Sequence, residues 1–292
     1  MRRFRNIVMA TDFSRASRPA LRRAVDLAVA SGARLWIVHV IPSMPIASAP
    51  RMYEEMEAFV RSDSEKRLRV LIGAATAAGA RARALLLHGV PHEAVRRAAR
   101  AHHADLIVLG THGRTGLARA FIGSVATRIL ATAPCPVLSV KQRRGSATAR
   151  NLLFATDLSP ASKPAWERAL GLARANRAPL QIVHVLTPLA QGQIARWAYA
   201  EAEAEIRAEA WKELQTLLRR ARRAGVRAKV LLVRGVAHEA VDRAARAMKD
   251  GWIVVGTHGR TGVSGAFLGS VAGRVVATAP CPVLTVRGGN RS

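Results

Sequence analysis

The chain has 292 residues, of which 50% are hydrophobic and 22% are charged. This composition is typical of a globular protein with a packed core and argues against disorder. No apolar run approaches the roughly 20 residues that span a bilayer. The basic N-terminus has too short an apolar stretch for a signal peptide, so we expect a cytoplasmic protein. The net charge of +27 divides into +15 for residues 1–145 and +12 for the rest, which excludes a charged tail as its source.

Short apolar runs alternate with helical patterns along the first half of the chain. We predict strands at residues 6–10, 35–40, 84–87, 106–109 and 137–140, and helices at 19–31, about 54–78, 92–102 and 121–131. Apolar strands that alternate with helices favour parallel pairing with helices on both faces. Right-handed crossovers then limit the topology to a doubly wound sheet. We therefore predict a five-stranded α/β domain, Rossmann-like or flavodoxin-like, with strand order 3-2-1-4-5.

The whole pattern occurs twice, with an offset of 145 residues near the start and 146 later. The recurring segments are NIVMATDFSRAS (6–17) and NLLFATDLSPAS (151–162), GVPHEAVRRAARA (89–101) and GVAHEAVDRAARA (235–247), GTHGRTG (110–116 and 256–262), and ATAPCPVL (131–138 and 277–284). The second long helix is predicted near 194–223, and residues 141–150 are typical of a linker. We predict one domain at 1–142 and another at 149–289. Cys135 and Cys281 occupy one repeated position, which favours a structural role over a disulfide or a metal cluster.

Two unusual segments follow strands one and four. The first is the turn from Ala10 through Thr11 and Asp12, and the second is the glycine-rich loop that begins at Gly110. Ligands of doubly wound sheets bind beyond the carboxyl ends of the strands, where the strand order reverses. Glycines let backbone N–H groups approach an anion, and a helix N-terminus adds further donors. These segments therefore predict a phosphate-binding crevice in each half.

The loop has the spacing Gly110-x2-Gly113-x9-Gly123-Ser124, which recurs as Gly256-x2-Gly259-x9-Gly269-Ser270. With the ATD turn before it and the APCPVL segment after it, in order and twice, this pattern resembles the universal stress protein family over nearly the whole chain. The G-x2-G-x9-G-(S/T) spacing is similar to that of the nucleotide-binding branch of the family. A lone glycine-rich loop would be weak evidence for the family, but here the loop occurs with the other two segments in both halves.

The resemblance implies one site for ATP or another adenine nucleotide in each domain, with or without Mg. It implies that the aspartate after strand one binds the nucleotide, that backbone near the end of strand two contacts adenine, and that the glycine loop holds the phosphates. The residues so implied are Ala10, Thr11, Asp12, Val40, Gly110, His112, Gly113, Arg114, Gly123, Ser124 and Val125, with the copies Ala155, Thr156, Asp157, Val185, Gly256, His258, Gly259, Arg260, Gly269, Ser270 and Val271. No catalytic residue and no protein metal ligand is assigned.

Several alternatives stay open for these residues. The loop could be a plain connecting turn, and Asp12 could cap a helix, although capping by Ser14 would leave it available for a ligand. His112 and His258 could touch phosphate or be solvated. His39 and His184, near the ends of apolar strands, are expected to be packed or bonded to backbone.

The function also has alternatives. The leading hypothesis is a nucleotide-binding regulatory module of the stress response with little or slow turnover. The others are a slow ATP hydrolase or phosphotransferase that uses Asp12 with a metal and Arg114, and a nonspecific nucleic-acid binder driven by charge. The resemblance further implies dimerisation through the last strands. We predict that residues 137–140 and 283–286 pair within one chain as a pseudo-dimer, with a homodimer possible and no membrane partner.

Overall fold

A computed structural model describes residues 4–43, 50–111, 122–141, 148–187, 196–257 and 268–288. The chain forms two compact units, Arg2–Arg143 and Arg144–Ser292. The proposed boundaries at 1–142 and 149–289 stay a prediction, as does the pairing of the two final strands. Within the described ranges, no helix is long and apolar enough to cross a membrane.

The N-terminal unit alternates strands and helices as predicted. Its elements are β1 (Asn6–Ala10), α1 (Arg18–Ser31), β2 (Arg34–Ile41), α2 (Pro50–Ala77), β3 (Arg81–His88), α3 (Pro91–Ala101), β4 (Leu106–Gly110), α4 (Ser124–Thr132) and β5 (Val137–Val140). The core runs along β1 and β4, whose Ile7, Val8, Met9, Leu106 and Ile107 are fully buried. Helix α1 ends at Ser31, and its C-cap Gly32 adopts the left-handed conformation with φ of 66°.

The C-terminal unit repeats this order. Its elements are β6 (Asn151–Ala155), α5 (Lys163–Asn176), β7 (Leu180–Leu186), α6 (Arg196–Arg223), β8 (Ala228–Arg234), α7 (Ala237–Arg246), β9 (Gly251–Gly256), α8 (Ser270–Thr278) and β10 (Val283–Val286). Cys135 and Cys281 are half-buried at matching positions just before β5 and β10.

The sheets have the predicted topology. Strand order within the first unit is β3-β2-β1-β4-β5, and within the second it is β8-β7-β6-β9-β10. The strands of each unit pair in parallel, for example Met9 with Ile37 and with Val108. The order therefore reverses between β1 and β4 in the first unit and between β6 and β9 in the second, which places a crevice at their carboxyl ends.

Three predicted boundaries were wrong. Helix α2 was predicted from about residue 54 but begins at Pro50. Strand β3 was predicted at residues 84–87 but runs from Arg81 to His88, because it lies at the edge of its unit and tolerates exposed arginines among its residues. Helix α4 was predicted from residue 121 but begins at Ser124, with Gly123 as its N-cap.

Candidate functional site

The turn after β1 is held by two buried hydroxyls, those of Thr11 and Ser17. Thr11 continues the sheet, since its N–H donates to the Val38 carbonyl at 2.9 Å. Its Oγ1 accepts from the N–H of Phe13 at 3.0 Å and lies 3.1 Å from Ser17 Oγ. Because Ser17 Oγ already donates to the Ser14 carbonyl, Thr11 is the donor in that hydroxyl pair. The turn thus has a fixed shape, with Phe13 in the left-handed region at φ of 63°.

The second unit builds the same turn around Thr156. Its Oγ1 accepts from the N–H of Leu158 at 2.9 Å and lies 3.1 Å from Ser162 Oγ. Leu158 has φ of 62°, which matches Phe13. Left-handed backbone is uncommon for phenylalanine and leucine, so its recurrence marks a conformation that the surrounding hydrogen bonds impose.

The two aspartates at the crevice form part of this turn. Asp12 Oδ1 accepts from the N–H of Ser14 at 3.0 Å, while Ser14 caps the short 3-10 turn Arg15–Ser17 by accepting from the N–H of Ser17. In the second unit Asp157 Oδ1 accepts from both the N–H of Ser159, at 3.1 Å, and its hydroxyl, at 2.8 Å. Of the candidate caps, Ser14 therefore caps the 3-10 turn, while Asp12 does not cap α1, whose N-cap is Ser17. Both aspartates are only half-buried, as contact with a ligand requires.

His39 and His184 support the turns from strands β2 and β7. Nδ1 of His39 lies 2.8 Å from the Thr11 carbonyl oxygen, and Nδ1 of His184 lies 2.8 Å from that of Thr156. A carbonyl oxygen only accepts, so each Nδ1 carries a hydrogen and donates it. Both rings are buried. The prediction that these histidines bond to backbone is confirmed.

The backbone of Val40 is directed toward the crevice. Strand β1 ends opposite Val38, whose carbonyl accepts from Thr11, and β2 continues to Ile41. Alternate residues of a parallel strand point their N–H and C=O groups to the same neighbour. Val40 therefore presents its backbone groups to the side on which β1 has already turned away. Val185 stands in the same relation to Val183, which accepts from Thr156.

Gly110, the last residue of β4, lies against the turn of β1. A Cβ at this position would come within 2.9 Å of the Ala16 carbonyl oxygen and 3.5 Å of Ser17 Cα. Both neighbours are backbone atoms, which a side-chain rotation cannot move. The structure therefore gives this glycine a packing role, and its predicted contact with phosphate stays a prediction.

Helices α4 and α8 start beside the ends of β4 and β9. The N–H of Gly123 donates to the Thr111 carbonyl at 2.9 Å, and that of Gly269 donates to the Thr257 carbonyl at 2.8 Å. In each unit this hydrogen bond joins the residue after the strand to the N-cap of the helix. Neither glycine has a side chain that could cap its helix. The first N–H groups of a helix have no partner within the helix, and here they lie at the exposed residues Ser124 and Val125, and Ser270 and Val271. This arrangement suits an anion.

The structure therefore brings together, in each unit, the strand-one turn, the backbone of strand two and the start of the helix after strand four. The loop residues predicted to hold phosphate fall outside the described ranges: His112, Gly113, Arg114, His258, Gly259 and Arg260. In the described ranges no group of three or more His, Cys, Asp or Glu side chains could hold a metal ion.

The two crevices differ in the charges of the long helix beside the turn. In the first unit the Phe13 ring lies 4.1 Å from the His39 ring, centroid to centroid, and the Arg67 guanidinium lies 5.7 Å from the Phe13 centroid. Arg67 also pairs with Asp63 at 2.8 Å. The residues 146 positions later are Glu209 and Glu213. An ion pair with no net charge in one unit thus corresponds to two negative charges in the other.

Comparisons with known proteins agree on one family. A model of the universal stress protein family matches residues 3–141 and 148–287. A universal stress protein of Methanocaldococcus jannaschii is 33% identical over 141 residues, which are 48% of this chain and 83% of that protein. One from Thermus aquaticus is 37% identical over 139 residues, 47% of this chain and 99% of that protein. The crystal structure of a universal stress protein from Archaeoglobus fulgidus has the same fold, with a TM-score of 0.71, 20% identity and coverage of 97% of this chain and 98% of that one.

Proposed function

Because this chain belongs to the universal stress protein family, we propose that each of its two domains binds one adenine nucleotide, ATP or ADP, and that the protein acts as a regulatory module of the stress response. The observation that carries the proposal is the convergence, at both strand-order reversals, of a rigid aspartate-bearing turn, an outward-facing strand backbone and an uncapped helix N-terminus. Mg would enter with the phosphates.

Each part of the crevice has a chemical role in this proposal. The backbone of Val40 and Val185 offers one donor and one acceptor to the edge of adenine. A carboxylate repels phosphates, so Asp12 and Asp157 accept hydrogen bonds from the ribose hydroxyls instead. The phosphates lie at the start of α4 and α8, where main-chain N–H groups and the helix dipole favour negative charge.

The proposal predicts a defined nucleotide content. Protein purified without added nucleotide, or loaded with ATP and Mg and then desalted, is expected to release about two adenine nucleotides per chain on denaturation, one for each site. Mass spectrometry of the extract identifies the nucleotide and its stoichiometry. If the purified protein holds no nucleotide and does not bind added ATP with Mg, the glycine-rich loops are only connecting turns and the proposal is wrong. If the protein hydrolysed ATP at about ten per second, the median rate of enzymes, it would be a hydrolase and not a regulatory module.

The proposal also predicts that the two sites are unequal. Glu209 and Glu213 bring two negative charges to the helix that flanks the second site, where the first has the neutral pair of Asp63 and Arg67. Two unit charges about 10 Å apart in water interact by roughly 0.4 kcal/mol, so the two glutamates repel the phosphates of a bound nucleotide. We therefore expect ATP to bind the N-terminal site about three- to tenfold more tightly than the C-terminal site. Isothermal titration calorimetry should resolve two dissociation constants.

A charge reversal at the flanking helix tests the origin of that difference. Arg67→Glu is expected to weaken the N-terminal site toward the affinity of the other, and Glu213→Arg to strengthen the C-terminal site. The matched control is Arg61→Glu on the same helix, because Arg61 pairs with Glu65 and not with the turn. Two equal sites in the unmodified protein, or equal effects of Arg61→Glu and Arg67→Glu, would contradict the assignment.

A further inference from the structure

The end of helix α6 and the turn after it carry a dense set of cations. We call this set the α6 basic cluster; it consists of Arg219, Arg220, Arg222, Arg223, Arg227 and Lys229, and residues 219–229 include no acidic residue. All six are exposed. Among ion pairs of the described residues, the cluster takes part in one, between Arg220 and Glu167 at 3.7 Å, and that pair is itself half-exposed. The cluster therefore presents a largely uncompensated positive surface.

The fold does not need these arginines. The matching helix α2 has the same length and ends before the same left-handed glycine, Gly79 in one unit and Gly225 in the other. Its last turn carries no basic residue. The residues at the positions of the four arginines of α6 are Gly73, Ala74, Thr76 and Ala77. Arginines three and four apart on a helix repel one another, so the second unit carries an electrostatic cost that the first avoids.

The chemistry of the cluster favours phosphates of a nucleic acid. Arginine binds phosphate through two parallel N–H groups and stays charged at every physiological pH. A membrane surface would call for exposed apolar side chains beside the cations, but the neighbouring Leu218, Ala221 and Val226 are buried. Residues 219–229 also contain no aromatic residue on which an unpaired base could stack.

From these observations we infer that the α6 basic cluster binds the phosphate backbone of duplex nucleic acid without reading its sequence. Duplex DNA carries one negative charge per about 1.7 Å of its axis, so closely spaced arginines can neutralise several phosphates at once and release their counterions. The surface belongs to one domain only, and it lies on a helix end that takes no part in the proposed nucleotide site. The inference therefore does not rest on nucleotide binding.

The test replaces the four arginines of α6 in the full chain. Binding of a short random-sequence DNA duplex is followed by fluorescence anisotropy between about 50 and 200 mM salt. The variant Arg219→Gln, Arg220→Gln, Arg222→Gln, Arg223→Gln is expected to lose at least about tenfold in affinity at the lower salt concentration, and its salt slope should fall by about 2 to 4. Its thermal unfolding should stay unchanged or shift upward, since α2 folds without these charges.

A control variant removes the same charge elsewhere. Arg18, Arg34, Arg100 and Arg243 are exposed and lie on separate elements; changing all of them to glutamine should reduce the affinity for DNA much less. An equal loss of affinity in both variants would mean that net charge alone attracts DNA and that the α6 basic cluster is not a binding site. Unchanged DNA binding by the α6 variant, with lost binding to phosphatidylserine vesicles, would assign the cluster to a membrane surface instead.

Discussion

Replacing Gly110 by alanine is expected to destabilise the N-terminal domain by about 1–3 kcal/mol, the usual cost of forcing an extra methyl group into a packed site. The new Cβ would lie 2.9 Å from the Ala16 carbonyl oxygen, and 3.5 Å from Ser17 Cα. Either β4 or the 3-10 turn must then move. A loss of 1 kcal/mol lowers the melting temperature of a domain of this size by about 2–4 °C. Thermal unfolding followed by circular dichroism, without nucleotide, measures the shift.

The matched control is Gly73→Ala in helix α2. No atom lies within 4 Å of the Cβ that this substitution adds, and alanine is favoured over glycine within a helix by about 1 kcal/mol. The control should therefore melt at the same temperature as the unmodified protein or slightly above it. If both variants melted alike, the approach between β4 and the turn after β1 would not be tight in solution. The predicted approach of phosphate would then be the remaining explanation for a glycine at position 110.

The fold could be predicted because its central strands are continuous apolar runs. β1 and β4 are buried along their length, and such runs between helices have few other structural solutions. Strand β3 was shortened in the prediction because Arg81 and Arg83 interrupt its apolar pattern. At the edge of its unit those side chains face solvent, and only the pairing of Arg34 with Arg81 and of Trp36 with Arg83 reveals the full strand.

The candidate site was predictable only where local chemistry decides it. Capping by Ser14 and the backbone bond of His39 follow from residue type and position in the chain. The contact of Arg67 with Phe13 does not, because it joins the turn after β1 to helix α2, from which α1 and β2 separate it in the chain. The packing of Gly110 against the turn was missed for a related reason: a glycine motif shows where the backbone is approached closely, but not whether a ligand or the protein approaches it.

Replacing Asp12 by asparagine is expected to weaken nucleotide binding at the N-terminal site by about 10- to 100-fold. Asparagine keeps an oxygen that can accept from the N–H of Ser14, the bond that shapes the turn. It removes only the charge, and hydrogen bonds to a charged group contribute about 1.5–3 kcal/mol. Calorimetric titration with ATP, together with thermal unfolding, separates loss of affinity from loss of structure. Asp157→Asn should have the same effect at the C-terminal site, where the carboxylate accepts from Ser159.

The sign of this effect decides the role of the carboxylate. If Asp12 only stood near the phosphates, removing its negative charge would tighten binding of ATP by relieving repulsion. If it only shaped the turn, asparagine would bind as well as aspartate, while Asp12→Ala, which also loses the bond to Ser14, would lower both stability and affinity. Acceptance of ribose hydroxyls predicts a third pattern, in which asparagine preserves the melting temperature and still loses affinity. Only that pattern supports the carboxylate as a direct contact to the sugar.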